Sequence, residues 1–206
     1  MKELSVIMAL VDFIPVAFFA VAAIVLQRNL YNKMSKGAFA LFSMGTLDIV
    51  FAGFAKALYK LLYGASICDF QALSDMFFPV QSIGFLMAGV AAVAMIHYNQ
   101  SSKTLFSVAP PLFSGTLIFV SFMCLGLGLL YYALCVIAIK MKKPMLILVF
   151  ILSFFMSLCM GYLSTKDFSL AIYNWIAQGV NIVGQGLLLW GALSLRKAGL
   201  WNLKLK

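Results

Sequence analysis

Read for hydrophobic and polar positions, the chain is a succession of long apolar runs separated by short polar punctuation. Runs at about 4–27, 38–63, 76–98, 144–163 and 170–195 each reach or approach the ~20 residues that carry an α-helix across a bilayer. Between them lie polar or turn-forming intervals such as RNLYNKMSKG, ASICDFQALSD and STKDFS. The run at 104–139, TLFSVAPPLFSGTLIFVSFMCLGLGLLYYALCVIAI, is different. As one helix it would measure ~54 Å at 1.5 Å per residue, far beyond a ~30 Å hydrocarbon core. Two shorter spans, 104–120 and 122–139, joined near Val120 to Cys124, suit it better. The pattern predicts an all-α polytopic membrane protein, a bundle of seven transmembrane helices forming one domain over 1–206 with no soluble domain.

Composition agrees, since only 10% of residues are charged, against roughly 25% in a soluble domain. The net charge of +9 would suggest nucleic acid in a soluble protein, but here it has another cause. Basic residues gather on cytoplasmic loops during insertion. With seven spans and the N-terminus outside, the inner loops hold Arg28, Lys33, Lys36, Lys103, Lys140, Lys142 and Lys143. The inner tail adds Arg196, Lys197, Lys204 and Lys206, while the outer side keeps Lys2, Lys166 and the acids Glu3, Asp69, Asp75 and Asp167. Six spans would swap the later loops and destroy the bias. The expected topology is therefore N-terminus out and C-terminus in, multi-pass in the cell membrane. The first run resembles a cleavable signal peptide, but Asp12 and Pro15 interrupt it and IVLQ prolongs it, so it reads as a retained span.

Small residues in GFLMAG (84–89), GLG (126–128) and GVNIVGQG (179–186) offer close helix–helix approach. Pro15 lies deep enough to kink the first helix, whereas Pro144 suits a helix start. A faint internal echo aligns Gln81 with Gln178 and Gly89 with Gly186, both in a Q-x7-G pattern. It suggests two parallel three-helix repeats around a linking helix, an arrangement used by some solute transporters.

Ionisable groups inside a membrane are costly and turn toward protein or a water-filled cavity. Asp48 falls near the middle of the second span with no cation at its depth, which marks it as a candidate proton or cation site. Asp12 in the first span lies at a depth close to Lys56, and the two are expected to pair as a clamp or gate. Lys60, a turn further out, reads as an anchor to the outer headgroups. Asn174, Gln178, Asn181 and Gln185 recur at spacings that place them on one face of the last span, with Gln81 available to face them. Such a seam serves either to glue helices or to line a path for a polar solute.

His97 is the sole histidine, which leaves a haem or zinc site short of ligands, and no cofactor or metal is expected. Cys68 and Cys124 share the expected outer side, and whether they pair is left open. No HExxH, CxxC, GxSxG or phosphate-binding glycine loop occurs, so an enzyme is not expected and a lipid-modifying one ranks third. The leading expectation is a transporter or permeation protein for a small polar solute or ion. Its site would lie mid-membrane, among the spans that hold Asp48, Asp12, Lys56, Gln81 and the amide face. The alternative is a seven-helix sensor or partner-binding module that signals through its basic inner face. Partners are the lipid bilayer and, for either reading, a second copy or a membrane protein; nucleic acid is not among them.

Overall fold

The computed structural model describes residues 5–97, 116–163 and 171–204. Among these the chain forms helices α1 (Val6–Val11), α2 (Phe13–Leu30), α3 (Lys36–Gly64), α4 (Ala72–Asp75), α5 (Phe77–His97), α6 (Thr116–Lys140), α7 (Pro144–Leu163) and α8 (Ala171–Lys197), with no strand. Six helical segments, with α1 and α2 acting as one, are long and apolar enough to cross a membrane. The protein is a multi-pass helical membrane protein.

Local chemistry sets the helix ends. Ser5 and Ser35 cap α1 and α3 by accepting the Met8 and Ala38 amides at 3.2 Å each. The first span breaks at Asp12, because Pro15 cannot donate to the carbonyl one turn before it. α6 ends with Lys142 in the left-handed region (φ 54°) and the Lys143 amide bonded back to Ala138 at 2.9 Å. That closing turn sends the chain directly into Pro144 and the antiparallel α7. α6 itself runs unbroken through Val120 to Cys124, where two spans were expected to meet. TLIFVSFMC contains neither Pro nor Gly, so nothing there interrupts a helix. Most of the expected fourth span, 104–120, lies outside the described residues.

Contacts along the interfaces fix the helix directions. Phe13 meets Phe54 and Tyr31 meets Phe39, with ring centroids 5.6 and 4.8 Å apart, so α2 and α3 are antiparallel. Gly45 abuts Ala88 while Lys56 lies on Phe77, which makes α3 and α5 antiparallel. α5 and α6 are parallel: Phe78 meets Phe119 at one end and His97 stacks on Tyr132 at the other. Ser153 bonds Gly184 and Phe150 fills the space beside Gly191, so α7 and α8 are antiparallel. Gln178 bonds Met8 and Gly186 faces Phe18, so α8 runs parallel to the first span.

The resulting ring, α2–α3–α5–α6–α7–α8 and back to α2, has two matching halves. α2, α3 and α5 form one triplet and α6, α7 and α8 the other, with the same order and the same directions. Each triplet carries a hydroxyl hydrogen bond between its first two helices: Gln27 to Thr46 at 2.7 Å, and Tyr131 with Ser153 at 2.7 Å. Gly89 and Gly186, the matched glycines of the internal echo, both face the other triplet, at Gly126 and at the Phe18 ring.

One half of the ring is densely packed. Leu26, Leu30, Phe42, Ile96, Leu134, Ile137, Phe150, Leu188 and Leu195 are all buried there. Leu200 seals its base, and Lys33 donates to the Trp201 carbonyl at 3.0 Å and to that of Leu203, tying the first turn to the tail. Apolar side chains such as Met44, Leu47, Phe51, Leu148, Phe155 and Val183 cover the outside of the ring. In water this would be a large exposed apolar surface; it is suited to lipid.

Backbone proximity at the glycines is a strict demand. A Cβ on Gly45 would lie 2.6 Å from the Gly84 carbonyl and 2.7 Å from the Ala88 amide, and one on Gly128 would meet nothing within 4 Å. Gly45→Ala is expected to lose roughly 1–3 kcal/mol by overpacking, whereas Gly128→Ala stays neutral or gains about 0.5–1 kcal/mol. Thermal unfolding of both variants in detergent checks this, and equal midpoints would refute the α3–α5 contact.

Candidate solute site between the two triplets

The other half of the ring is not filled. Two cavities of about 90 and about 130 Å³ lie between the triplets, each large enough for several waters. The first is walled by Asp12 and Val16 of the first span, Gly53, Lys56, Ala57 and Lys60 of α3, Phe77, Met160, and Asn174, Ala177, Gln178 and Asn181 of α8. The second is walled by Lys56, Phe77, Phe78, Gln81, Phe85, Met123, Leu127, Ser157, Met160, Gly161, Asn181 and Gln185. Lys56, Phe77, Met160 and Asn181 belong to both walls and form the partition.

Of the residues singled out from sequence, Asp12, Lys56, Gln81, Asn174, Gln178, Asn181 and Gln185 line these cavities. Asp48 does not. It packs against Gly84 at the α3–α5 seam, part-buried, and makes no hydrogen bond or ion pair with the described residues.

The expected Asp12–Lys56 pair is not formed. Asp12 Oδ2 instead lies 2.6 Å from Lys60 Nζ, with both side chains only about one-sixth exposed, at 16% and 17%. The reason is side-chain direction: helical side chains lean toward the helix N-terminus. The Lys60 ammonium therefore drops about a turn inward from its own Cα, to the level of the carboxylate. Lys60 is thus a wall residue in an ion pair and not a headgroup anchor. Lys56 Nζ rests 4.0 Å above the Phe77 ring centre, a cation–π contact worth about 0.5–2 kcal/mol. That is less than a carboxylate would supply to a desolvated ammonium. The cavity walls hold two cations and one anion among the described residues, a net excess of one positive charge.

The amides complete the picture. Gln178 is 4% exposed and donates through Nε2 to the Met8 carbonyl at 2.7 Å, which turns its Oε1 the other way, without a partner. Gln81 Oε1 and Gln185 Oε1 are likewise buried without a donor. An orphaned buried acceptor costs roughly 1–3 kcal/mol, and one in the wall of the first cavity with two in that of the second form a demand for hydrogen-bond donors. Ser153, between Tyr131 Oη and the Gly184 carbonyl at 2.7 Å each, is by contrast fully satisfied and serves as helix glue.

No protein family, curated protein or solved structure matches this chain. The site must therefore be read from its own chemistry.

Two features of that chemistry were missed by sequence reasoning. Phe77 as the support of Lys56 follows from antiparallel pairing of α3 and α5, which no residue spacing reveals. Lys60 was assigned by depth alone, and allowing for its side-chain lean would have brought it to Asp12. Among the described residues no cluster of three metal-ligating side chains occurs, and Cys68 and Cys124 are free thiols.

The pairing makes a distinct prediction. Asp12→Asn is expected to destabilise the protein by an amount between the ~1 kcal/mol of an exposed pair and the ~3–5 kcal/mol of a buried one. Adding Lys60→Met should recover most of the loss, while adding Lys56→Met should not. Unfolding midpoints of the two double variants decide between the partners.

Proposed function

We propose that the protein is a transporter for a small polar solute, holding it between two three-helix units. The observation that carries this reading is the division of one ring into a polar, cavity-bearing half and a sealed apolar half. A solute path that is lined at one end and closed at the other is what alternating access requires of a single resting state. The matching triplets, related by an axis along the bundle, supply two units that can rock about a fixed site.

We further infer seven crossings in the cell membrane. α5 and α6 run parallel in direct contact, so the chain between His97 and Thr116 returns from one end of the bundle to the other. The sealed end gathers Arg28, Lys33, Lys36, Lys140, Lys142, Lys143, Arg196 and Lys197, and the cavity end has Asp69 and Asp75. The positive-inside rule then puts the sealed half in the cytoplasm and the N-terminus and cavities outside.

Asp48, away from the walls at the α3–α5 interface within one triplet, takes the role of a proton- or cation-coupling group, not of a solute contact. In proteoliposomes Asn181→Ala is expected to raise the half-saturation concentration for the transported solute, and Asp48→Asn to lower the maximal rate with little change in half-saturation. Absence of flux, together with capture of a defined membrane partner by the basic face, would favour the sensor reading.

A further inference from the structure

The cavities specify more than polarity. We infer that their ligand is a small monocarboxylate that also carries a hydrogen-bond donor, such as a short 2-hydroxy acid. This rests on the reading of the cavities as a solute site but does not require that the solute be transported.

The charge pattern selects the sign. Asp12 and Lys60 satisfy each other at 2.6 Å, so neither attracts a charged ligand without losing its partner. Lys56 has a ring face 4.0 Å away and no ion pair of its own; Asp12, paired with Lys60, acts on it only at longer range and Lys60 opposes that attraction. An entering anion would add a charge-assisted hydrogen bond to that contact. A cation would meet Lys56 with nothing to offset the repulsion.

The donor set selects the valence. Of the two ammoniums in the walls Lys60 is paired with Asp12, and no arginine is present; this suits a single negative charge better than a dianionic phosphate, which favours several cations or a guanidinium fork. The cavity volumes admit only a few non-hydrogen atoms on either side of the Lys56–Phe77 partition.

The amides require the second group. Simple acetate would satisfy Lys56 and leave the Gln81, Gln178 and Gln185 acceptors as they are. A hydroxyl beside the carboxylate brings one donor, enough for Gln178 in the first cavity or for one of Gln81 and Gln185 in the second. Gln178 is the strongest evidence here, because its Nε2 is held by Met8 and its Oε1 cannot be satisfied by an amide flip without breaking that bond.

The test is equilibrium binding to the purified, full-length protein in detergent, read as ligand-dependent thermal stabilisation and by calorimetry. The probes are glycolate and lactate, acetate, glycerol and ethanolamine. Glycolate or lactate should bind most tightly, acetate more weakly, and glycerol and ethanolamine weakest. Lys56→Met should weaken glycolate binding by roughly tenfold or more. Gln178→Leu should narrow the difference between lactate and acetate. Ethanolamine or glycerol binding as well as glycolate, or an unchanged glycolate response in Lys56→Met, would overturn the assignment. Glycolate binding without flux in proteoliposomes leaves the ligand class standing and removes only the transporter reading. Flux of a neutral or cationic solute with no anion binding does the reverse.

Discussion

A charge in a hydrocarbon environment must find compensation inside the protein, and three charges on adjacent helices organise this molecule. Asp12, Lys56 and Lys60 would each be costly against lipid. Turning them inward decides which faces of the first span and α3 meet, and fixes their register through the Asp12–Lys60 pair. With α3 set, Lys56 reaches Phe77, which sets α5, and the close backbone approach at Gly45 and Gly84 locks that interface. The space around these groups cannot be filled with apolar side chains without burying the charges dry. The cavities are thus a consequence of the ion pair, and the dense packing at the opposite end supplies the stability that the cavity end forgoes.

The ring also shows how parallel helices alter a membrane fold. Neighbouring helices joined by short turns are antiparallel, as α6 and α7 are, and they pack as hairpins. α5 against α6 and α8 against the first span are the two parallel contacts, and both join one triplet to the other. Hydrogen bonds through hydroxyls or amides hold helices within each triplet, at Gln27–Thr46 and Tyr131–Ser153–Gly184. The α5–α6 contact instead rests on glycine and rings, at Gly89–Gly126 and Phe78–Phe119. Directional bonds cross between the units at two places, Gln178 to Met8 and Tyr132 with His97.

Much of this was legible in the sequence, for particular reasons. Apolar length sets the spans because a bilayer has one thickness, so Pro144–Leu163 could be read off directly. The amide face of α8 was legible because helical periodicity is local: spacings of three and four put Asn174, Gln178, Asn181 and Gln185 along one stripe. Partnership was not legible. Which of two lysines a turn apart meets Asp12 depends on side-chain lean and on the helix break, each a shift of a few ångströms. Asp48 was singled out for its depth, yet depth does not report azimuth, and its azimuth takes it to the α3–α5 seam. The continuity of α6 was obscured because length alone argued for a break that the local sequence does not provide.

The break at Asp12 has a mechanical consequence. It divides the first span into a long piece, α2, embedded in the packed half, and a six-residue piece, α1, at the mouth. α1 lies on α3 and is tethered to α8 by the single Gln178–Met8 bond. That short piece is packed as well as tethered, with Met8 and Ala9 fully buried and Asp12 paired to Lys60 at its base. The amide that ties α1 to α8 is the one whose Oε1 has no donor, so the packing of α1 and the first cavity share a single side chain.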